Sequence, residues 1–243
     1  MWLIVKKKIS KSIILIFKKF GIKISRYINP GYIKIINNSG ITVILDVGAN
    51  SGQFGNILRE HGYKNKIISF EPTEVAHKNL VKSSFKDDNW IVHQRVAVGD
   101  ENKKVRINVA GNNGESSSIL QMGQIHKESA PHALYIGEES VDQITIDSIF
   151  EKYITKNDNV MLKIDVQGYE DRVLDGIKDN IDKVHLIKLE MSLVNLYQGD
   201  KLFNYYISRL EPLGFKIWDL EPGHRNKSNG RLFQFDALFV KNK

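Results

Sequence analysis

The sequence predicts a doubly wound α/β fold built on a mostly parallel, seven-stranded sheet with an antiparallel last strand. Short apolar segments alternate with segments of helical periodicity, which is typical of parallel strands joined by helices. Only a loop, residues 221–231, separates the last two apolar segments, so these two strands are expected to run antiparallel. We expect strands near 41–47, 66–71, 90–96, 159–165, 182–190, 214–220 and 232–241, and helices near 52–61, 73–84, 147–155, 169–178 and 200–211.

Two regions do not fit this alternation. Residues 27–40 contain proline, glycine and asparagine and are predicted to be a connector. Residues 101–146 form an irregular insert, in which 104–109 and 141–146 are expected to be extra strands around a mobile segment rich in serine and histidine. We therefore predict a basic amphipathic extension and connector at 1–40, followed by one domain at 41–243.

Composition limits the class of protein. The 243 residues are enough for one buried core, and the absence of cysteine excludes disulfide bonds and cysteine-based zinc sites. Nine lysines or arginines and no acidic residue lie within 1–40, which leaves 26 basic and 28 acidic residues in the rest of the chain. The net charge of +7 is therefore a property of the extension, and the remainder is close to neutral.

The extension at 1–24 mixes lysines with aromatic and aliphatic residues. Its longest apolar run, 13–17, is far shorter than the roughly 20 residues that span a bilayer. Such a segment fits a helix in peripheral contact with an anionic membrane, and the alternative is a helix that caps the sheet with its lysines in solvent. We expect a cytoplasmic protein, with 1–24 as the candidate contact with the inner face of the cell membrane.

The loop after the first predicted strand is suited to a cationic nucleoside. Gly48 and Gly52 allow a sharp turn and a close approach of the backbone to a ligand. Glu71 follows Gly52 by 19 residues, at the end of the second strand, where a carboxylate can accept both ribose hydroxyls. The loop lacks the G-x-G-x-x-G pattern of dinucleotide sites, and Asp46 disfavours phosphates but attracts the amino group of a sulfonium cofactor. The layout predicts S-adenosylmethionine.

Five segments occur in order along the chain: 45–52 (LDVGANSG), 70–72 (FEP), 96–100 (VAVGD), 116–118 (SSS) and 162–170 (LKIDVQGYE). Together they resemble the FkbM family of S-adenosylmethionine-dependent methyltransferases, over about residues 41 to 240. The resemblance implies a class I methyltransferase Rossmann-like fold and, most often in this family, O-methylation of hydroxyls on sugars or other secondary metabolites. The chain has Gln167 where the family often carries glutamate.

Cofactor contacts are predicted from the glycine-rich loop and from the ends of the strands. Ala97 is expected to border the adenine, because its small side chain leaves room for a flat ring and the family resemblance supports this position. The predicted cofactor-binding residues are Asp46, Gly48, Ala49, Asn50, Gly52, Phe54, Glu71, Pro72, Ala97 and Asp165.

Methyl transfer to a hydroxyl requires alignment of the acceptor oxygen with the sulfonium methyl and removal of a proton. The strands at 162–165 and 187–190 share one pattern, in which a lysine lies two residues before a carboxylate on the same face. Asp165 is the first candidate for the general base and Glu190 the second; a structural ion-pair network is the alternative. Either carboxylate also suits a divalent cation that acidifies the hydroxyl. The sequence shows no decisive ligand cluster, so metal dependence stays open and no metal ligand is assigned.

The histidines divide by position. His93 and His185 fall inside strands and are expected to be structural. His126 and His132 lie in the irregular insert, and His224 lies in the loop between the last two strands. These three are candidate contacts of the acceptor, and His224 joins the two carboxylates as a candidate catalytic residue.

The acceptor is expected to be a small molecule, a sugar or a lipid-linked glycan. No nucleic-acid partner is expected, because the basic charge lies in the extension rather than around the predicted cleft. A nucleic-acid methyltransferase and a noncatalytic membrane-attached module are the alternatives.

Overall fold

The computed structural model describes residues 31–242, and a large sheet lies at the centre of this part of the chain. The strands are, in chain order, β1 (Val43–Val47), β2 (Lys66–Phe70), β3 (Trp90–Val92), β4 (Ala97–Val98), β5 (Lys103–Ala110), β6 (Tyr135–Ile144), β7 (Val160–Ile164), β8 (Val184–Ser192), β9 (Phe215–Pro222) and β10 (Gln234–Lys241). The α-helices are α1 (Gly31–Asn38), α2 (Gln53–Glu60), α3 (Glu74–Ser84), α4 (Gln124–Ser129), α5 (Phe150–Tyr153), α6 (Glu170–Asp175) and α7 (Phe203–Leu210).

The main sheet has seven strands in the order β3-β2-β1-β7-β8-β10-β9. The pairs β1–β2, β2–β3, β1–β7 and β7–β8 are parallel, while β10 is antiparallel to both β8 and β9. The predicted doubly wound fold is therefore confirmed, including the antiparallel last strand. The strand order changes direction between β1 and β7, and the carboxyl ends of strands at such a switch point are where open α/β sheets bind ligands.

The residues of β1 serve two cores, one on each face of the sheet. Val43, Leu45 and Val47 belong to one apolar cluster, and Ile44 belongs to another that includes residues of α1, α2 and α3. All five residues of β1 and all five of β7 are buried. This continuous burial is expected of central parallel strands covered on both faces, and it explains why their sequences read as uninterrupted apolar runs.

The third strand is shorter than predicted. It was expected over 90–96, but β3 ends at Val92 and the chain then leaves the main sheet. β4 pairs in parallel with β6 in a second, three-stranded sheet of order β4-β6-β5. Ala97 packs there against Ile107 and Val141. The apolar residues predicted to extend the third strand are therefore buried by the second sheet.

The insert at 101–146 forms the rest of the second sheet. β5 and β6 pair antiparallel over most of their length. The strand expected at 104–109 is present as β5, whereas the strand expected at 141–146 begins earlier, at Tyr135. The first half of β6 escaped detection because residues 137–140 contain no apolar side chain and so show no apolar alternation. Helix α4 lies between β5 and β6, in the segment predicted to be mobile.

The connector predicted at 27–40 is a helix in its described part. α1 buries Tyr32, Ile33 and Ile36 in the cluster that also contains Ile44. The apolar residues at 32, 33 and 36 lie on one face of a helix, and their burial favours the helix over the turn that the surrounding glycine and asparagine residues predict. Residues 1–30 lie outside the described part of the chain, so the amphipathic extension, its membrane contact and the division at residue 40 stay predictions. Between residues 31 and 242, no helix has both the length and the apolar character needed to cross a bilayer.

The packing of α1 gives a stability prediction. Ile36→Ala is expected to lower the free energy of unfolding by about 2–5 kcal/mol, because it leaves a cavity in the core. Urea denaturation measures this loss. Lys34→Ala, on the exposed side of the same helix, is the control and is expected to change the free energy by less than about 0.5 kcal/mol. Equal losses in the two variants would contradict the packing of α1.

Candidate active site

A cavity of about 650 Å³ opens at the carboxyl ends of the central strands. This volume is in the range of small-molecule sites. The glycine-rich loop after β1 lines the cavity, as do Glu71 after β2, Asp165 after β7 and Glu190 in β8. Residues from α4 and from the β9–β10 loop also line it.

The loop after β1 owes its shape to residues with positive φ. The φ angles of Gly48, Asn50 and Gly52 are +74°, +47° and +91°. A Cβ atom on Gly48 would lie 1.8 Å from the carbonyl oxygen of Asp165. Only glycine fits at this position, and its absence of a side chain lets the loop lie directly against the end of β7.

Glu71 is a buried carboxylate with fixed orientation. Its Oε1 accepts hydrogen bonds from the backbone N–H and the hydroxyl of Thr73, at 2.9 and 2.6 Å, and its Oε2 accepts one from the N–H of Asn50 at 2.9 Å. Burial raises the pKa of Glu71, against the opposing effect of these hydrogen bonds. A carboxylate accepts about four hydrogen bonds, so Glu71 retains capacity for a ligand hydroxyl in the cavity.

Asp46 does not lie where the sequence placed it. Its side chain is fully buried, and it is absent from the lining of the cavity. Its Oδ1 lies 3.3 Å from Nζ of Lys163, and its Oδ2 accepts a hydrogen bond from the hydroxyl of Ser69 at 3.0 Å. Asp46 stands opposite Lys163 in the β1–β7 register, so its carboxylate is held within the sheet. The predicted direct contact with a cofactor amino group does not fit this position.

Lys163 connects the loop to the carboxylates around it. Its ammonium donates to the carbonyl oxygen of Gly48 at 2.8 Å and lies 3.6 Å from Asp165. Burial, the largest influence, lowers the pKa of Lys163, but the charges of Asp46 and Asp165 outweigh it and the pKa is raised. The lysine is therefore a permanent cation beneath the glycine-rich loop.

The two predicted carboxylate bases are joined by an amide. Nε2 of Gln167 donates to Oδ1 of Asp165 and to Oε2 of Glu190, both at 2.7 Å. Its Oε1 accepts a hydrogen bond from the hydroxyl of Tyr197 at 2.7 Å. Gln234 adds a second amide donor to Glu190 at 3.0 Å. A glutamate at position 167 would place a third carboxylate between two others. The glutamine instead donates a hydrogen bond to each of them.

Several acidic side chains surround Asp165 and Glu190. Burial raises the pKa of Glu190 well above its usual range, and the negative charges of Asp165, Asp236 and Glu170 raise it further. Burial also raises the pKa of Glu170 to about 7. Glu170 accepts hydrogen bonds from the backbone N–H groups of Val166 and Gly168, so it fixes the turn that carries Gln167.

Three histidines predicted to contact the acceptor line the same cavity, namely His126, His132 and His224. The rings of His126 and His224 lie 6.0 Å apart, and Nε2 of His224 is hydrogen-bonded to the hydroxyl of Ser129 at 3.0 Å. His93, predicted to be structural, is buried between the rings of Phe70 and Tyr153.

The structure brings most of the predicted residues together. All three candidate catalytic residues line the cavity. Gly52 and Ala97 do not. Gly52 lies in the turn before α2, where a Cβ atom would meet the ring of Trp90 at 3.1 Å, and Ala97 is held in the second sheet beside a small separate cavity. The cofactor-binding candidates that line the cavity are Gly48, Ala49, Asn50, Phe54, Glu71, Pro72 and Asp165.

Sequence reasoning missed the contribution of the last two strands. Lys188 pairs with Asp236 of β10 and lies 3.6 Å from Glu221 of β9, and all three line the cavity. Asp236 stands between Glu190 and Glu221 in the register of the sheet. The alternation of polar and apolar residues in 234–237 was the available signal, but the partner strands were needed to interpret it.

The chain is similar in sequence to one family of known proteins. The family described as "Methyltransferase FkbM domain" matches residues 46–217, well over half of the sequence. The chain belongs to the FkbM methyltransferase family. Its sheet has the strand order of class I S-adenosylmethionine-dependent methyltransferases.

Individual relatives of this FkbM chain are distant. The "2-O-methyltransferase NoeI" of Sinorhizobium fredii is 24% identical over 162 residues, which cover 65% of this chain and 66% of that protein. The solved FkbM methyltransferase from Methylobacillus flagellatus is 18% identical with a TM-score of 0.49, over 82% of this chain and 44% of that one. The magnesium protoporphyrin IX methyltransferase of Synechocystis, solved with S-adenosylmethionine, is 10% identical with a TM-score of 0.46, over 87% and 75% of the two chains. The chain thus spans just under two thirds of the curated relative and less than half of the solved FkbM chain.

The residues of this FkbM site fit S-adenosylmethionine. Glycine at position 48 keeps the loop against the end of β7, Glu71 has acceptor capacity for ribose, and the acidic surroundings suit a sulfonium cation. Within residues 31–242, no group of three or more histidine, cysteine, aspartate or glutamate side chains is arranged to hold a metal ion.

The amide bridge gives a pH-dependent prediction. Gln167→Glu is expected to destabilise the fold by about 2–4 kcal/mol at pH 8, because it places a third carboxylate beside Asp165 and Glu190. The introduced carboxyl has a pKa raised by these charges, so its folded form binds a proton more tightly than its unfolded form. The deficit is therefore smallest below the ordinary glutamate pKa and grows as the pH rises through the raised pKa.

Urea denaturation of the wild type and of Gln167→Glu at pH 5 and pH 8 measures this difference. Gln198→Glu is the control, because it makes the same chemical change at an exposed position. A loss that is the same at both pH values, or one that Gln198→Glu reproduces, would contradict the role of the bridge.

Proposed function

We propose that this chain is an S-adenosylmethionine-dependent O-methyltransferase that acts on a hydroxyl of a sugar, glycolipid or related metabolite. The observation that carries the proposal is the pair of carboxylates, Asp165 and Glu190, bridged by Gln167 beside the glycine-rich loop. A hydroxyl acceptor needs a base, and this pair places one at the end of the strands where the cofactor site lies. The relative NoeI is a 2-O-methyltransferase, which supports transfer to oxygen.

In this proposal the protein aligns the acceptor and removes its proton. The bound cofactor supplies an electrophilic methyl group. The side chain of Asp165 is 37% exposed and accessible from the cavity, so it takes the proton of the acceptor hydroxyl as the methyl group is transferred. Lys163 lies 3.6 Å from Asp165 and holds the loop that orients the cofactor. Gln167 keeps the carboxylate of Asp165 turned toward Glu190 and the acceptor.

The acceptor side of the cavity is suited to several hydroxyls. Glu190, Glu221 and Asp236 line it, together with the amide of Gln234. Carboxylates and amides are hydrogen-bond acceptors and donors that match the vicinal hydroxyls of a sugar ring. With its pKa raised, Glu190 can hold a proton and donate to an acceptor oxygen next to the reacting one. The expected absence of a nucleic-acid partner stays a prediction.

Comparison of surface glycans and lipids by mass spectrometry, in cells with and without the gene, tests the proposal. We expect loss of a methyl group from a hydroxyl of one glycan class, and the purified protein is expected to restore it with S-adenosylmethionine. Asp165→Asn is expected to lower the rate of transfer by about 10²–10⁴-fold, because it removes the carboxylate that takes the proton of the acceptor hydroxyl. Transfer to nitrogen or carbon, or undiminished transfer by this variant, would contradict the proposal.

The cofactor site gives a separate prediction. Glu71→Gln is expected to weaken binding of S-adenosylmethionine by about 10–100-fold, because an amide has one acceptor oxygen where the carboxylate has two. Isothermal titration calorimetry measures the affinity, and thermal unfolding shows whether the variant is folded. Glu60→Gln, at the exposed end of α2, is the matched control and is expected to bind like the wild type. A folded Glu71→Gln variant with unchanged affinity would remove Glu71 from the cofactor site.

A further inference from the structure

The cavity has one region where imidazoles rather than carboxylates form its wall. His126 comes from α4, His132 from the turn that follows it, and His224 from the loop between β9 and β10. Lys227 lines the cavity from the same loop as His224. Four side chains that can carry positive charge therefore converge from separate segments.

These four side chains differ from the two lysines elsewhere in the cavity, Lys163 and Lys188, because they are not paired with a carboxylate within the described residues. Lys163 is paired with Asp46 and Asp165, and Lys188 with Asp236 and Glu221. By contrast, across residues 31–242 no carboxylate forms an ion pair or a hydrogen bond with the three histidines or with Lys227. The region is therefore the part of the wall that can receive an anion without displacing an acidic side chain.

His126 is the most constrained member. It is 4% exposed, and its ring meets the ring of Tyr197 edge-on, with the centroids 5.1 Å apart. Its Nδ1 has no hydrogen-bond partner in the described part of the chain. A buried polar nitrogen without a partner is costly to the folded state, and a ligand that satisfied this ring would recover part of that cost.

The surroundings of His126 and His224 lower the pKa of both imidazoles. Burial lowers the pKa of His126 to about 4, helped by the charges of His224 and His132. Burial, Lys227 and His132 lower the pKa of His224, whose ring also faces Ser129 and Phe233. A bound anion acts in the opposite direction, because negative charge near an imidazole favours its protonated form.

We propose that His126, His132, His224 and Lys227 form a subsite for a phosphate group carried by the methyl acceptor. The proposal rests on the proposed function, because the subsite shares one cavity with Asp165 and Glu190. Phosphate is favoured over a carboxylate because it presents three strong acceptor oxygens and up to two charges, which match donors that arrive from separate segments. The acceptor class is then a phosphorylated sugar, with its hydroxyls toward the carboxylates and its phosphate toward the imidazoles.

Titration of the histidines by NMR tests the subsite without requiring methyl transfer. The full chain has seven histidines, and single substitutions assign their imidazole signals. Inorganic phosphate is expected to raise the pKa of His126 and His224 by about 0.5 or more, saturably, while His61 and His77 outside the cavity stay unchanged. Acetate at equal ionic strength is expected to have a smaller effect. Equal responses of all seven histidines, or none, would overturn the proposal.

Affinity for a phosphorylated sugar gives the second measurement. Glucose 1-phosphate is expected to bind more tightly than glucose. His126→Asn or His224→Asn is expected to weaken the binding of glucose 1-phosphate by about tenfold. His132→Asn adds a variant at an exposed side chain, where substitution does not threaten folding. His77→Asn is the matched control. Equal binding of glucose and glucose 1-phosphate, or full affinity in folded variants of all three cavity histidines, would overturn the proposal.

A further comparison separates the sources of the phosphate and isolates the proposed function. Glucose 1-phosphate in solution and a prenyl phosphoglucose in detergent micelles distinguish a soluble from a lipid-linked acceptor; preferential binding of either supports the subsite, and binding of neither overturns it. S-adenosylmethionine is titrated separately into the wild type. Failure of that titration would count against the proposed function, whereas failure of the phosphate titrations alone counts against the subsite.

Discussion

A buried ammonium group, that of Lys163, is the contact on which the candidate site depends. It binds Asp46 of the neighbouring strand, the carbonyl oxygen of Gly48 and the carboxylate of Asp165. These three groups belong to the end of β1, the glycine-rich loop and the end of β7. A single charge therefore sets the distance between the loop that approaches the cofactor and the carboxylate that approaches the acceptor. Removal of any one partner of such a buried network leaves the others uncompensated, which is expensive.

The amide of Gln167 has a comparable effect one strand further along. Two carboxylates that would repel each other are held together by a shared donor, and Tyr197 fixes the donor from behind. The backbone that permits this has a φ of +59° at Gln167 and +95° at Gly168. Glu170 accepts the N–H groups of that turn, so the strained conformation is supported by a buried acid. Local strain at such a position is typical of functional sites.

Much of the fold and part of the site were predictable from the sequence because they depend on local signals. The apolar runs of β1 and β7, the glycines after β1 and the acid after β2 are each readable within a few residues. The family resemblance added the segments at 96–100 and 162–170. These signals locate the cavity and most of its cofactor half.

The positions that local signals do not determine depend on pairing between distant segments. Asp46 was expected in the cavity, but its partner across the sheet holds it inside. Ala97 was placed beside the cofactor, but the residues after β3 pair with β6, 40 or more positions away. Helix α1 at 31–38 packs in a core that contains residues of β1, β7 and β8, which are distant in the chain. In each case the outcome was decided by contacts with residues that are remote in the chain.

The family match covers only some of the residues that line the cavity. The match ends at residue 217, within β9, whereas His224, Gln234 and Asp236 all follow it. The loops after β1, β2 and β7 therefore lie inside the matched part, whereas the terminal hairpin of β9 and β10 lies mostly outside it and still lines the cavity. This hairpin forms one end of the main sheet, and its strand β10 pairs with β8, which carries Glu190. A change of its inward side chains therefore reshapes the cavity beside Glu190 while the pairing of β1 with β2 and β7 stays as it is.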